Sequence, residues 1–218
     1  GTLNHSYERK FFKVATQDVA NLALGLCSFK TLQKLEIVHS NLQEHEKVSY
    51  LLVSIEGIST LTYLNLTHCN ITSKESGRHF ENFFLHNSTL ERLELRENNL
   101  RGDFCEHFAD GLLSFKGHLK YLGMAFNPIL RDGLKFIISS LIERDNVEEL
   151  NVCGCEGGKR DSYEEFVKEF CSLLRQTKKL KFLDLSCNHI PDVSLRRKII
   201  NAISENRSIA HFVFNPEG

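Results

Sequence analysis

The chain has no tryptophan, a single methionine and no excess of either charge: 27 Lys and Arg stand against 28 Asp and Glu, a formal net charge of -1. That balance removes the global electrostatic ground for expecting nucleic acid or an anionic membrane as partner. No apolar run approaches the roughly 18 to 20 residues that span a bilayer, and residues 1–30 lack the basic, apolar and small-residue order of a signal peptide. The first residue is Gly1, not Met, so a processed or partial chain is expected.

Paired cysteines are also missing. The seven, at 27, 69, 105, 153, 155, 171 and 187, are an odd number scattered singly, where a disulfide framework would need fixed pairs. A reducing, cytoplasmic setting follows as the expectation. Five N-x-S/T sequons, at Asn4, Asn65, Asn70, Asn87 and Asn206, would suggest glycosylation in a secreted protein. Asn65 and Asn70 fall in a strand and beside a buried turn, so chance in an Asn-containing repeat is the preferred reading.

Signatures of chemistry are equally scarce. The chain contains no G-x-x-x-x-G-K-[ST] phosphate loop, no G-x-S-x-G and no H-E-x-x-H. Cys153-Gly154-Cys155 and Cys105-Glu106-His107 lack a second pair at zinc-site spacing, and Glu148-Glu149 and Glu164-Glu165 sit at strand and helix starts, where solvation or the helix dipole accounts for them. No catalytic, cofactor-binding or metal-binding residue is expected, and the chain is read as non-enzymatic.

What is present is a repeat. With 41% hydrophobic and 25% charged residues the chain is an ordinary globular composition. Within it Leu61-Thr62-Tyr63-Leu64-Asn65-Leu66-Thr67-His68-Cys69-Asn70-Ile71 has the form L-x-x-L-x-L-x-x-C-x-I. Its lead residue recurs as Leu32, Leu61, Leu90, Leu119, Val147, Leu180 and Ile209, at spacings of 29, 29, 29, 28, 33 and 29. Counting from the lead, apolar residues at +3 and +5 share one face of a strand and point inward, while +2, +4 and +6 point outward. Position +8 is Ser40, Cys69, Asn98, Asn127, Cys155 and Asn188, small polar or thiol groups able to satisfy peptide groups in a buried turn.

After each turn comes a helical pattern: Val48, Leu51, Leu52, Ile55; Phe80, Phe83, Phe84; Phe104, Phe108, Leu112, Leu113; Leu134, Ile137, Ile138, Leu141; Phe166, Phe170, Leu173, Leu174; Leu195, Ile199, Ile200, Ile203. Ahead of the first repeat, Phe11 to Val14 reads as a short strand. It is followed by a helix capped by Thr16 or Asp18, with 19, 20, 22, 23 and 26 on its apolar face. The sequence therefore predicts one α/β leucine-rich-repeat solenoid over residues 1–218, with parallel strands on the concave face and helices on the convex face. Repeats start near 32, 61, 90, 119, 147, 180 and 209, after a partial leading repeat over 1–31. The 33-residue spacing comes from a Gly-rich insertion, 155–162, expected to be a surface loop. The last unit starts a strand with no helix after it, so a continuing chain or a second protein is expected to cover that edge.

The candidate site is the outward surface of the strands. Its +2 row is Lys34, Tyr63, Arg92, Tyr121, Glu149, Phe182 and His211, and its +4 row includes Asn65, Glu94, Asn151 and Asp184. Rings interleaved with an arginine match the composition of interface anchors, so these residues are read as protein-binding. The competing reading is that each ring only shelters its neighbouring strands.

The repeats, most plainly Leu180 to Ile190, resemble the ribonuclease-inhibitor class of leucine-rich repeats, a likeness that covers nearly the whole chain. More narrowly, Phe12-Lys13-Val14 with Asp18, Leu22-Ala23 and Thr31-Leu32, and later Leu185 to Ile190, are similar to the leucine-rich-repeat subunits of the dynein regulatory complex. That resemblance implies a structural subunit of the axonemal nexin-dynein linker in cilia or flagella, joining microtubule doublets and regulating dynein. Its partners would be other axonemal subunits in a hetero-oligomer. The alternatives are a ligand-sensing or inhibitory repeat domain of an innate-immune receptor, an actin regulator, or, from another class, a repeat-type GTPase activator, for which no motif singles out a catalytic arginine.

Overall fold

A computed structural model describes residues 12–155, 163–190 and 192–215. Along the chain run α1 (Thr16–Leu26), β1 (Lys34–Glu36), α2 (His45–Ile55), β2 (Tyr63–Asn65), α3 (Lys74–His86), β3 (Arg92–Glu94) and α4 (Gly102–Ser114). They continue as β4 (Tyr121–Gly123), α5 (Leu130–Arg144), β5 (Glu149–Asn151), α6 (Tyr163–Gln176), β6 (Phe182–Asp184), α7 (Val193–Glu205) and β7 (His211–Val213). The strands form one parallel seven-stranded sheet in sequence order. Register pairs like repeat positions throughout, Tyr63 with Arg92 and Arg92 with Tyr121, as identical units stacked side by side require. This is the α/β leucine-rich-repeat solenoid.

The periodic leucines close the core. Leu61, Leu64, Leu66, Leu90, Leu93, Leu95, Leu119, Leu122 and Met124 have no exposed surface, whereas Leu35, Ile37, Phe212 and Phe214 of the two end strands are only partly covered. Between α3 and α4 the phenylalanines interlock, with Phe80, Phe84, Phe104, Phe108 and Phe115 in ring contacts of 5.1 to 5.7 Å. Buried rings at such separations add to the area term through edge-to-face attraction.

The +8 line is a hydrogen-bond ladder. Asn98 Nδ2 donates to Leu66 O at 2.8 Å, Asn127 Nδ2 to Leu95 O at 2.9 Å and Asn188 Nδ2 to Val152 O at 2.8 Å. The thiols of Cys69 and Cys155 make the same bond to Ile37 O and Met124 O, each at 3.0 Å. These five side chains thus each reach the +5 carbonyl of the preceding repeat. Asparagine does more than cysteine, because its carbonyl oxygen also accepts: Asn98 Oδ1 takes Cys69 N and Ile71 N, both at 3.0 Å. Ser40 bonds only its own Val38 O, at 3.2 Å. Just before each rung the chain turns left-handed, at His39, His68, Glu97, Phe126, Gly154 and Cys187 (φ 54 to 62°). Five of the six are not glycine, so the rung bonds hold a conformation that costs about 1 kcal/mol or more per residue.

Several details differ from the sequence reading. The α1 N-cap is Ala15, with neither Thr16 nor Asp18 in that place; Asp18 instead accepts Ala15 N at 3.1 Å, and Thr16 bonds the Glu44 carboxylate. Leu22 is 44% exposed and Ile200 51% exposed. Leu22 lies at the edge of the α1 stripe formed by Val19, Ala23 and Leu26, on the first helix of the stack, and Ile200 is about 100° round from buried Ile199. At +6, Ala125 and Cys153 are buried, because the strands end at +4 and the chain has begun to turn. Phe12 makes a single bridge to Ser40 through Phe12 N to His39 O at 2.8 Å. Asn4, Phe11 and the insertion after Cys155 lie outside the described residues. Among the described sequons, Asn87 is buried, its oxygen accepting Thr89 N and Leu90 N to start the next strand, and Asn206 does the same for Ser208 N and Ile209 N.

Candidate functional site

Because each strand is three residues long, only +2 and +4 lie on its open face, and parallel register sets them in two rows about 4.8 Å apart from strand to strand. All eleven candidate residues fall in these rows. They do not act as separate anchors. Arg92 lies over the Tyr121 ring at 4.3 Å and its guanidinium donates to Glu149 at 3.2 Å. The Tyr121 hydroxyl donates to the Glu94 carboxylate at 2.6 Å, and Arg96 N donates to the same carboxylate at 3.0 Å. Burial and then the Glu94 hydrogen bond push the Tyr121 phenol up, so it remains a donor.

Gly123 explains how the Glu94 side chain fits. A Cβ at this +4 position would collide with the Glu94 carboxylate, which lies across the strand at the point where β4 carries no side chain. By sequence Gly123 is only the +4 residue of the repeat led by Leu119. Its role as a seat for Glu94 depends on register.

Towards the N-terminal end Lys34 stands over the Tyr63 ring at 5.3 Å, and Asn65 Oδ1 accepts Thr67 N at 3.0 Å. Burial raises the Tyr63 phenol too, with Glu36 adding to it. Towards the C-terminal end the His211 ring meets Phe182 edge-on at 5.0 Å, Asn151 accepts Cys153 N at 3.1 Å and Asp184 accepts Ser186 N at 3.0 Å. Tyr63, Tyr121 and Phe182, read from sequence as exposed rings, are half-buried, because each is overlain by a neighbour from an adjacent repeat.

Flanking the central cluster is a line of ion pairs between +1 residues, joined by His118, which precedes the lead Leu119. Lys120 donates to Glu91 at 2.8 Å, while Glu148 accepts from His118 at 2.9 Å and Lys181 at 2.5 Å. The hydrogen bonds from Lys181 and His118 hold the Glu148 carboxyl at about 2. Sequence reading passed over this line, since the partners stand 29 to 33 residues apart and no local motif joins them.

Elsewhere, burial raises the thiols of Cys69 to about 11 and Cys155 to about 12, which keeps both protonated as donors to their carbonyls. On the convex face Glu81, His107 and Asp110 approach closely enough to hold a metal ion. His107 is already engaged, with Nδ1 3.0 Å from Glu81 and Nε2 accepting from Arg78 at 3.3 Å, so its ring is spent on pairing α3 with α4 and a guanidinium occupies the second nitrogen. Among the described residues no helix is long and apolar enough to cross a membrane.

A family model described as a leucine-rich repeat matches residues 57–74, 86–103 and 177–196. Human NACHT, LRR and PYD domains-containing protein 13 is 30% identical over 121 residues, 55% of this chain and 11% of that protein, so the match takes in about a tenth of the relative's length. An internalin from Listeria monocytogenes superposes with a TM-score of 0.50 at 18% identity, covering 93% of this chain and 51% of the internalin. The structure of the leiomodin-1 actin-binding site 2 gives a TM-score of 0.48 at 12% identity, over 88% of this chain and 89% of that one. The chain is built of leucine-rich repeats, an architecture that suits a protein-protein interaction scaffold.

Proposed function

We propose that the chain is a non-enzymatic recognition scaffold that binds another protein on its concave face, centred on Tyr63, Arg92, Glu94, Tyr121 and Glu149. The observation that carries this reading is the Arg92–Tyr121–Glu94–Glu149 cluster: a ring and a guanidinium already in contact with their neighbours on an open surface have less conformational entropy to lose when a partner covers them. A photo-crosslinking residue placed at Tyr63 in the full chain tests it, against the same residue at convex Val53, which is 55% exposed. Protein adducts are expected from position 63 and not from 53. Equal yields from both would remove the concave face as the binding surface.

Two settings are proposed for such a scaffold. The similarity of Phe12 to Leu32 and of Leu185 to Ile190 to dynein regulatory complex subunits supports a place in an axonemal assembly. The 30% identity to a protein with NACHT, LRR and PYD domains supports the alternative of a ligand-sensing repeat domain. Imaging of the tagged protein separates them: signal along cilia or flagella favours the first, and its absence there the second. Unchanged GTP hydrolysis across a panel of small GTPases would dismiss the activator reading.

A further inference from the structure

Cys153 and Cys187 follow β5 and β6 on neighbouring repeats. The parallel ladder runs on past the strands, with Val152 N donating to Asp184 O and Gly154 N to Ser186 O, both at 3.0 Å. In that register Cys153 stands opposite Ser186, and Cys187 is one residue further on. Neighbouring repeats still run about 4.8 Å apart here, so the offset pair comes within reach of one another. A disulfide needs roughly 4.4 to 6.8 Å between Cα atoms.

The side chains converge as well. Cys153 Sγ lies 3.3 Å from Ser186 Oγ, and Cys187 is close enough to add to the burial that pushes the Cys153 thiol up. Their access to solvent differs, Cys187 being exposed and Cys153 only 6% exposed. The remaining thiols are less accessible or distant: Cys69 and Cys155 are bound to carbonyls, Cys105 and Cys171 are buried in helices, and Cys27 lies at the opposite end of the stack.

We propose that Cys153 and Cys187 form a peroxide-responsive dithiol that closes to a disulfide between adjacent repeats. The Cys187 thiolate attacks a peroxide oxygen, forming an S–O bond as the O–O bond breaks and hydroxide leaves; Cys187 becomes a sulfenic acid. The Cys153 sulfur then attacks Cys187 Sγ, the S–O bond breaks, and the Cys153 proton leaves with that oxygen as water. Two thiols are oxidised by two electrons and one peroxide is reduced to two waters. Burial, with the adjacent Cys187, holds the Cys153 thiol up at about 11, so the exposed Cys187 is the thiol that meets peroxide first. Ser186 also donates to Asp184 at 2.6 Å, so the link touches the C-terminal end of the concave rows. The proposal does not depend on the scaffold reading.

The test is peptide mapping of the folded 218-residue chain after stoichiometric hydrogen peroxide, with denaturing alkylation as the quench. A Cys153–Cys187 linkage is expected, 2 Da lighter than the two free thiols and reversed by dithiothreitol. Cys153→Ser should leave a sulfenic acid on Cys187 that dimedone traps, and Cys187→Ser should leave Cys153 unoxidised. Wild-type protein that carries only sulfenic or sulfinic Cys187, or that links Cys187 to Cys27 of a second molecule, would overturn the proposal without recourse to either variant.

Discussion

Two lines of side chains run the length of the solenoid a few residues apart in every repeat, and they are held differently. From Cys69 onward the rungs at +8 are buried and uniform, each making the same bond to the +5 carbonyl of the preceding repeat. The +2 row is half-exposed and varied, Lys, Tyr, Arg, Tyr, Glu, Phe and His in turn. A buried peptide group admits few partners, so the rung is confined to residues that can donate inward. The open row escapes that constraint, and variety there is free to serve recognition.

The contrast breaks hardest at a rung. Asn98→Ala strands Leu66 O, Cys69 N and Ile71 N together, so a loss of about 3 kcal/mol in urea unfolding is expected. Cys69→Ser, which keeps a donor at its rung, should cost far less. A loss for Asn98→Ala under about 1 kcal/mol would mean the ladder is ornamental.

Next in size is the open row. Tyr63→Ala with Tyr121→Ala should weaken the partner captured at position 63 by tens of fold, about 2 kcal/mol. Tyr121→Phe removes only the hydroxyl bonded to Glu94 and keeps the ring under Arg92. If the double alanine variant loses as much folding stability as binding, the rings are structural covers.

Gly123→Ala sharpens the same comparison more gently. The new methyl displaces the Glu94 carboxylate, a flexible side-chain end, so unfolding should change by about 1 kcal/mol or less while the Tyr121 hydroxyl bond is lost. Tyrosine titration followed by absorbance is the readout, and a Tyr121 phenol that stays as high as in the parent would contradict the Glu94 seat.

The smallest effect is at the flank. The folded Glu148 carboxyl is held below its ordinary value, so its contribution is present above about 4.5 and is lost as pH falls towards about 2. Glu148→Gln should flatten the stability profile in that window by about 0.5 kcal/mol, the scale of exposed pairs. An unchanged profile would show that Lys181 and His118 contribute nothing measurable through it.

The frame was legible from Leu61 to Ile71 because its spacing is set by the buried side: one slip would expose Leu64 or Leu66 or leave a rung carbonyl unpaired. The open row was legible as a list of residues, from alternation alone. The liking of Arg92 for Tyr121, the seat of Glu94 on Gly123 and the Lys181–Glu148–His118 group were not, since each joins residues about one repeat or more apart and no local pattern records which rotamer reaches across.

By itself, then, the order of residues determined the stack, the parallel register and the inward rungs, because a fixed period with buried apolar positions admits no other pairing. Only the tertiary structure decided how the open face is organised. There solvent imposes no period, and Coulombic, ring and hydrogen-bond contacts between neighbouring repeats choose among rotamers that the sequence leaves equal.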